Sequence, residues 1–176
     1  LLWRGIRGAQ GYVADATSGA FTVGYLLMAG GFATLLVRED DGPFRVLAWL
    51  LLVVASDVGG YAMGVMVGKT PMAPSVSPKK SWEGFSGSVL ACVTLGTVVV
   101  VWGLDGDWWA GVVLGVAMAV AATLGDLAES LLKRDIGVKD MGSLLPGHGG
   151  VMDRLDSIAL SAPVAWLVLT YLVPVA

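Results

Sequence analysis

The chain has 176 residues, of which 56% are hydrophobic and 14% charged. A water-soluble domain carries about 25% charged and about 45–50% apolar residues. Together with a mean hydropathy of +0.76, this excludes an ordinary soluble domain and indicates an integral membrane protein. The net charge of -3 says little about partners, because the charges are unevenly spread, and no nucleic-acid partner is expected.

A bilayer core about 30 Å thick needs roughly 20 apolar residues in a helix. In chain order five stretches qualify: 17–37, 46–67, 85–104, 108–128 and 157–175. The expected fold is all-α, a polytopic transmembrane helical bundle of five spans, forming one membrane-embedded domain over 1–176. Gly59, Gly60 and Gly64 lie within the second span, and small residues let membrane helices approach closely. A homodimer through such faces is a further expectation. The single cysteine, Cys92, has no partner for an intrachain disulfide and reads as a small buried hydrophobe. No signal-peptide pattern is visible. The chain begins Leu1-Leu2-Trp3 without Met, so further spans are expected before it.

Basic residues test the orientation. If the spans alternate from the N-terminal stub, one side receives Arg4, Arg7, Lys69, Lys79, Lys80, Lys133, Arg134, Lys139 and Arg154. The other receives only Arg38 and Arg45, beside Glu39, Asp40 and Asp41, with the acidic 105–107 hairpin. Nine against two places both long loops, 69–84 and 129–156, in the cytoplasm as the catalytic loops. The expected location is the cytoplasmic (inner) membrane.

The second loop region holds most of the chemistry. Asp126, Glu129 or Ser130, and Lys133 share one helix face that extends out of the fourth span. Asp153 and Asp156 are three apart at the start of the fifth and share a face too. Carboxylates at membrane depth are costly unless paired or functional. Hard cations such as Mg²⁺ take carboxylate oxygens together with substrate phosphates, so two helix ends each offering an aspartate are candidates to hold one. The turn Gly147-His148-Gly149-Gly150 lets backbone N–H groups approach an anion. Lys133, Arg134 and Lys139 would offset the charge of a polyphosphate. His148 reads equally as a structural hydrogen-bonding residue, and no base is required of it.

The first loop carries Lys69, Pro71, Pro74, Ser75, Ser77, Pro78, Lys79, Lys80, Ser81 and Trp82. Its prolines oppose a continuous helix. Paired lysines beside serines suit phosphate oxygens, and Trp82 reads as a base-stacking platform or an interfacial anchor. Asp57 lies inside the second span and should face a polar cavity or a metal. Gly68-Lys69-Thr70 imitates the end of a phosphate loop, but that pattern needs glycine where Met63 stands. Asp105-Gly106-Asp107 falls on the side opposite the lysines and reads as a surface hairpin. Trp108 and Trp109 at a span boundary suit an aromatic belt.

The run Ser130-x-x-Lys133-Arg134, Lys139-Asp140, Pro146-Gly147-His148-Gly149-Gly150-x-x-Asp153-Arg154-x-Asp156 resembles the signature of the phosphatidate cytidylyltransferase (CDP-diacylglycerol synthase) family. Ser56-Asp57-x-Gly59 and Ser77-Pro78-Lys79-Lys80-x-Trp82-Glu83-Gly84 also match, with Ser81 where that family usually has threonine. The resemblance covers about 57–156 by motif. It implies transfer of a cytidylyl group from CTP to phosphatidic acid, giving CDP-diacylglycerol and pyrophosphate for phospholipid synthesis. Asp126 and Asp153 would then coordinate a metal pair, Mg²⁺ with a second mono- or divalent cation, with Asp57 and Asp156 nearby. Lys133, Lys139 and Asp140 would complete the catalytic set. Lys79, Lys80, Arg134, Ser77, Trp82, Glu83, His148, Gly149, Gly150 and Arg154 would bind the substrates.

The chemistry of the residues is consistent with that implication. A lipid phosphate is already nucleophilic at neutral pH, so the obstacle is the meeting of two polyanions, which cations and lysines offset. The partners are CTP, phosphatidic acid and the bilayer. Rival readings are another CTP-using membrane enzyme, such as a polyprenol kinase or an archaeal CDP-lipid synthase, and an ion-coupled transporter with Asp57 and Asp126 as a relay. Phosphatidyltransferases that consume CDP-lipid are disfavoured, because their Asp-Gly-x2-Ala-Arg motif is absent.

Overall fold

Local chemistry sets where each helix begins and ends. A computed structural model describes residues 12–136 and 152–173, in the order α1 (Tyr12–Val37), α2 (Gly42–Val67), β1 (Pro71–Ala73), β2 (Ser77–Ser81), α3 (Trp82–Gly103), α4 (Trp108–Ile136) and α5 (Met152–Leu172). Pro43 sits in the first turn of α2, where its missing N–H has no helical partner to lose. Ser81 caps α3, its hydroxyl accepting from the Gly84 N–H at 3.1 Å. Threonine at this position would keep that hydroxyl. Asp105 takes a positive φ of 49°, a region Asp tolerates better than bulky residues. The Asp107 carbonyl accepts from Ala110 N at 3.0 Å, opening α4.

The five helices correspond to the five expected spans, with shifted ends. Four are long and apolar enough to cross a bilayer: Gly19–Val37, Gly42–Val67, Trp82–Gly103 and Trp108–Asp135. The described apolar part of α5, Ser157–Leu172, is shorter. The expected loops are also shorter. Trp82 and Glu83 lie in the first turn of α3, and α4 runs on to Ile136. Residues 69–81 are not irregular loop but an antiparallel hairpin pairing Pro71 with Ser81 and Ala73 with Ser77. Pro71, Pro74 and Pro78 exclude helix there, and two short extended segments pair instead.

Helices α2, α3, α4 and α5 pack successively and α5 returns to α2, while α1 leans mainly on α5. The core is formed by Trp49, Leu52, Cys92, Leu114, Met118, Ala162 and Leu169. Large apolar side chains outside it are exposed, as along the Val54, Val58, Tyr61, Val65 ridge of α2. In water such a face would be a liability, whereas hydrocarbon accommodates it.

The packing of α3 is set by backbone approach. A methyl group at Gly87 would lie 2.5 Å from the Gly59 carbonyl oxygen and from Met63 Cβ. On the other flank, one at Gly115 would lie 2.5 Å from the Cys92 carbonyl oxygen and Val93 Cα. Polar side chains then bridge the helices. Ser88 Oγ donates to the Ser56 carbonyl at 2.7 Å and Cys92 Sγ to the Leu52 carbonyl at 3.3 Å. Cys92 is thus a buried small residue, as expected.

Arg45 behaves differently from the rim charge that its place in the basic count suggests. It is 1% exposed. Its guanidinium donates to Asp41 Oδ1 at 2.6 Å and to the Leu169 and Val173 carbonyls at 2.7 Å each. The last carbonyls of α5 have no helical donors, and little water reaches them, so an arginine from α2 supplies the N–H groups. Trp49 Nε1 adds a buried bond to Ser161 Oγ at 2.9 Å.

Gly87→Val should cost about 1–3 kcal/mol through overpacking and lower the thermal midpoint in detergent. Gly24→Val, where a side chain would meet nothing within 4 Å, should leave the midpoint nearly unchanged. Equal shifts for the two would contradict the close approach of α2 and α3.

Candidate functional site

The C-terminal end of α2, the hairpin, the start of α3 and the end of α4 enclose a cavity of about 510 Å³. Small residues open it: Gly60 and Gly64 from α2 and Gly84 and Ser88 from α3, each pair one helical turn apart. Met72, Phe85, Tyr61 and Val65 form apolar wall. Asp57 from α2, Lys79 and Lys80 from β2 and Asp126 from α4 supply the charge.

Lys80 reaches across from the hairpin. Its Nζ lies 2.5 Å from Asp126 Oδ2 and donates to the Thr123 carbonyl at 3.3 Å. Two further clasps hold the hairpin. At its neck, Glu83 accepts from the Lys69 N–H at 3.2 Å, the Thr70 N–H at 3.1 Å and the Thr70 hydroxyl at 2.8 Å. Near its tip, Arg134 Nε donates to the Val76 carbonyl at 3.2 Å. The lysines are therefore presented by a strand fixed to two helices, α3 and α4.

The residues named from sequence divide accordingly. Asp57, Lys79, Lys80 and Asp126 meet at the cavity. Ser77, Trp82, Glu83, Lys133 and Arg134 are not among its lining residues. Trp82 is 54% exposed and packs edge-on against Phe85, with ring centroids 6.1 Å apart. Lys133 pairs with the buried Glu129 at 3.1 Å, four residues back on α4. Asp153, Arg154 and Asp156 belong to the first turns of α5, and their side chains lie outside the described residues. Lys139, Asp140, His148, Gly149 and Gly150 also lie outside them. Sequence reading missed the Thr123 carbonyl, Met72 and Phe85 as parts of the site. Thr123 contributes a backbone atom, which no residue type signals. The recurrence of small residues at Gly60/Gly64 and Gly84/Ser88 was the available pointer to the cavity.

Asp57 and Asp126 offer hard oxygen donors that fit Mg²⁺, which usually takes one or two carboxylates and completes its shell with phosphate and water. Among the described residues no three His, Cys, Asp or Glu side chains converge.

A sequence model of the Cytidylyltransferase family matches residues 2–172. A phosphatidate cytidylyltransferase of Mycobacterium leprae is 51% identical over 162 residues, covering 92% of this chain and 52% of that protein. The protein of the same name in Mycobacterium tuberculosis is 47% identical over 161 residues, covering 92% and 49%. That of Helicobacter pylori is 44% identical over 133 residues, covering 76% and 50%. The chain spans about half the length of the curated relatives it matches.

Glu83→Ala should release the neck of the hairpin. Backbone amides over 69–81 are expected to exchange hydrogen roughly tenfold faster, as read by mass spectrometry of the detergent-solubilised protein. Unchanged protection would show that the carboxylate does not hold the hairpin.

Proposed function

The chain belongs to the Cytidylyltransferase family, and from the meeting of Asp57, Lys79, Lys80 and Asp126 in one cavity we propose that it carries the catalytic site for cytidylyl transfer from CTP to phosphatidic acid. The products are CDP-diacylglycerol and pyrophosphate. The observation that carries the reading is the juxtaposition of two lysines with two carboxylates at the end of a helical bundle, beside apolar wall residues. A lipid headgroup and a nucleotide polyphosphate require that combination. The names of the similar proteins favour phosphatidic acid over an alcohol acceptor.

In this reading an oxygen of the lipid phosphate forms a bond to the α-phosphorus of CTP. The bond from that phosphorus to the oxygen bridging the β-phosphorus breaks, and pyrophosphate leaves with the electron pair. The attacking phosphate is already ionised, so no side chain has to remove a proton. Lys79 and Lys80 hold phosphate oxygens and offset the repulsion between the two anions. Asp57 and Asp126, with Asp153 at the start of α5, would hold Mg²⁺ and a second cation. When bound, these cations supply neutralisation of the phosphate charge. Tyr61, Val65 and Phe85 keep apolar surface beside the headgroup.

The same reading sets the cavity on the cytoplasmic side of the inner membrane. It is supported by the basic residues, nine of the eleven falling on the side of the hairpin and of the connection between α4 and α5.

The test is incubation of the full-length protein with α-labelled CTP, Mg²⁺ and candidate lipids. Phosphatidic acid should yield labelled CDP-lipid. No CDP-lipid from phosphatidic acid together with phosphorylation of a polyprenol would overturn the reading in favour of a kinase, and nucleotide-independent ion flux in proteoliposomes would favour a transporter. Asp126→Asn should lower turnover about 100-fold or more while the protein still inserts and melts normally. Lys79→Ala should mainly raise the KM for CTP, and an unchanged CTP dependence would remove its phosphate role.

A further inference from the structure

Lys80 and Asp126 carry two different roles in the function proposed above, yet they are bonded to each other. The separation of 2.5 Å involves Oδ2, one of the two carboxylate oxygens that a cation could use. The pair is neither sealed nor fully solvated, with side-chain exposures of 25% for Lys80 and 40% for Asp126. It faces the same cavity as Lys79 and Asp57. Resting on that functional reading, we infer that the Lys80–Asp126 ion pair is an exchangeable latch that couples the binding of polyphosphate to the binding of a divalent cation.

The physical argument is one of competition. A divalent cation coordinated to Asp126 would sit about 2.1 Å from a carboxylate oxygen. With the ammonium of Lys80 on the same carboxylate, two cations would lie within a few ångströms of each other, and water screens them only in part at side-chain exposures of 25% and 40%. Cation alone therefore binds against the latch. A polyphosphate offers Lys80 another anion, and the long, rotatable lysine stem can follow it. The Thr123 carbonyl, at 3.3 Å, gives the ammonium a neutral foothold outside the ion pair. Once Lys80 turns to phosphate, the Asp126 carboxylate is free for the cation that accompanies the nucleotide. By linkage each ligand strengthens the other by the same factor. Asp126 is thereby kept neutralised between turnovers, and bare cation does not accumulate at a site lacking nucleotide.

The experiment measures Mn²⁺ binding to the full-length protein in detergent, without nucleotide, from the spin-resonance signal of the free ion. Lys80→Met should bind Mn²⁺ about tenfold more tightly than the wild type. Adding Asp126→Asn to Lys80→Met should abolish the gain, and Lys80→Arg, which keeps the charge, should stay near the wild-type value. Should Lys80→Met fail to fold, as judged by its melting curve, Lys80→Gln carries the same expectation. If Asp126→Asn alone weakens Mn²⁺ binding but loss of the Lys80 charge does not tighten it, the latch is overturned while the metal role of Asp126 stands. If the wild type, Lys80→Met and Asp126→Asn all bind Mn²⁺ alike, both the latch and that metal role fall.

Discussion

Everything at the cavity depends on how closely α3 lies against its two neighbours. Side chains are missing where the backbones meet, at Gly59 and Gly87 on one flank and at Gly96, Gly111 and Gly115 on the other. A bilayer offers no hydrophobic force to drive one apolar helix onto another, so close packing and interhelical hydrogen bonds must supply the attraction. Glycine permits the first. Ser88 and Cys92, which donate to the Ser56 and Leu52 carbonyls of α2, supply the second. With α3 held between α2 and α4, Asp57 and Asp126 on the outer helices face one space.

That space is finished by the hairpin, which is too short to be stable alone in water. Its order comes from the helices that it touches. Glu83 ties its neck to the start of α3, Arg134 ties its turn to the end of α4, and Lys80 spans the cavity to Asp126. Two of these residues, Glu83 and Arg134, match the family pattern and are not among the residues lining the cavity. They act on the lysines by positioning the strand that bears them. At the far end of the bundle Arg45 performs a comparable task, securing the last carbonyls of α5 to α2. The bundle is thus fixed by charge-assisted bonds at both ends and by small residues in the middle.

Family membership agrees with this anatomy. The motif resemblance drawn from residues between 57 and 156 and the match over residues 2–172 point to the same chemistry, and the bonded Lys80–Asp126 pair gives that chemistry a resting arrangement. A site built to receive polyanions in a membrane must keep its own charges satisfied before substrate arrives. Under the proposed function, the Lys80–Asp126 pair would do this with the residues assigned to phosphate and cation.

The sequence by itself determined the class of protein and the number and order of the described helices, because hydropathy and span length are local properties of the chain. That Asp57 and Asp126 need polar surroundings was likewise readable, since charge at membrane depth demands a reason. Only the tertiary structure decided their partners. Whether Lys80 meets Asp126, whether Glu83 bonds the hairpin neck, and whether Arg45 lies at the rim or under α5 all depend on distances between segments far apart in the chain. Trp82 illustrates the limit: its composition and motif position suit stacking on a base, while its packing against Phe85 follows from the turn of helix that begins at Ser81. Residue type shows which groups need a partner, and the fold determines which partner each one meets.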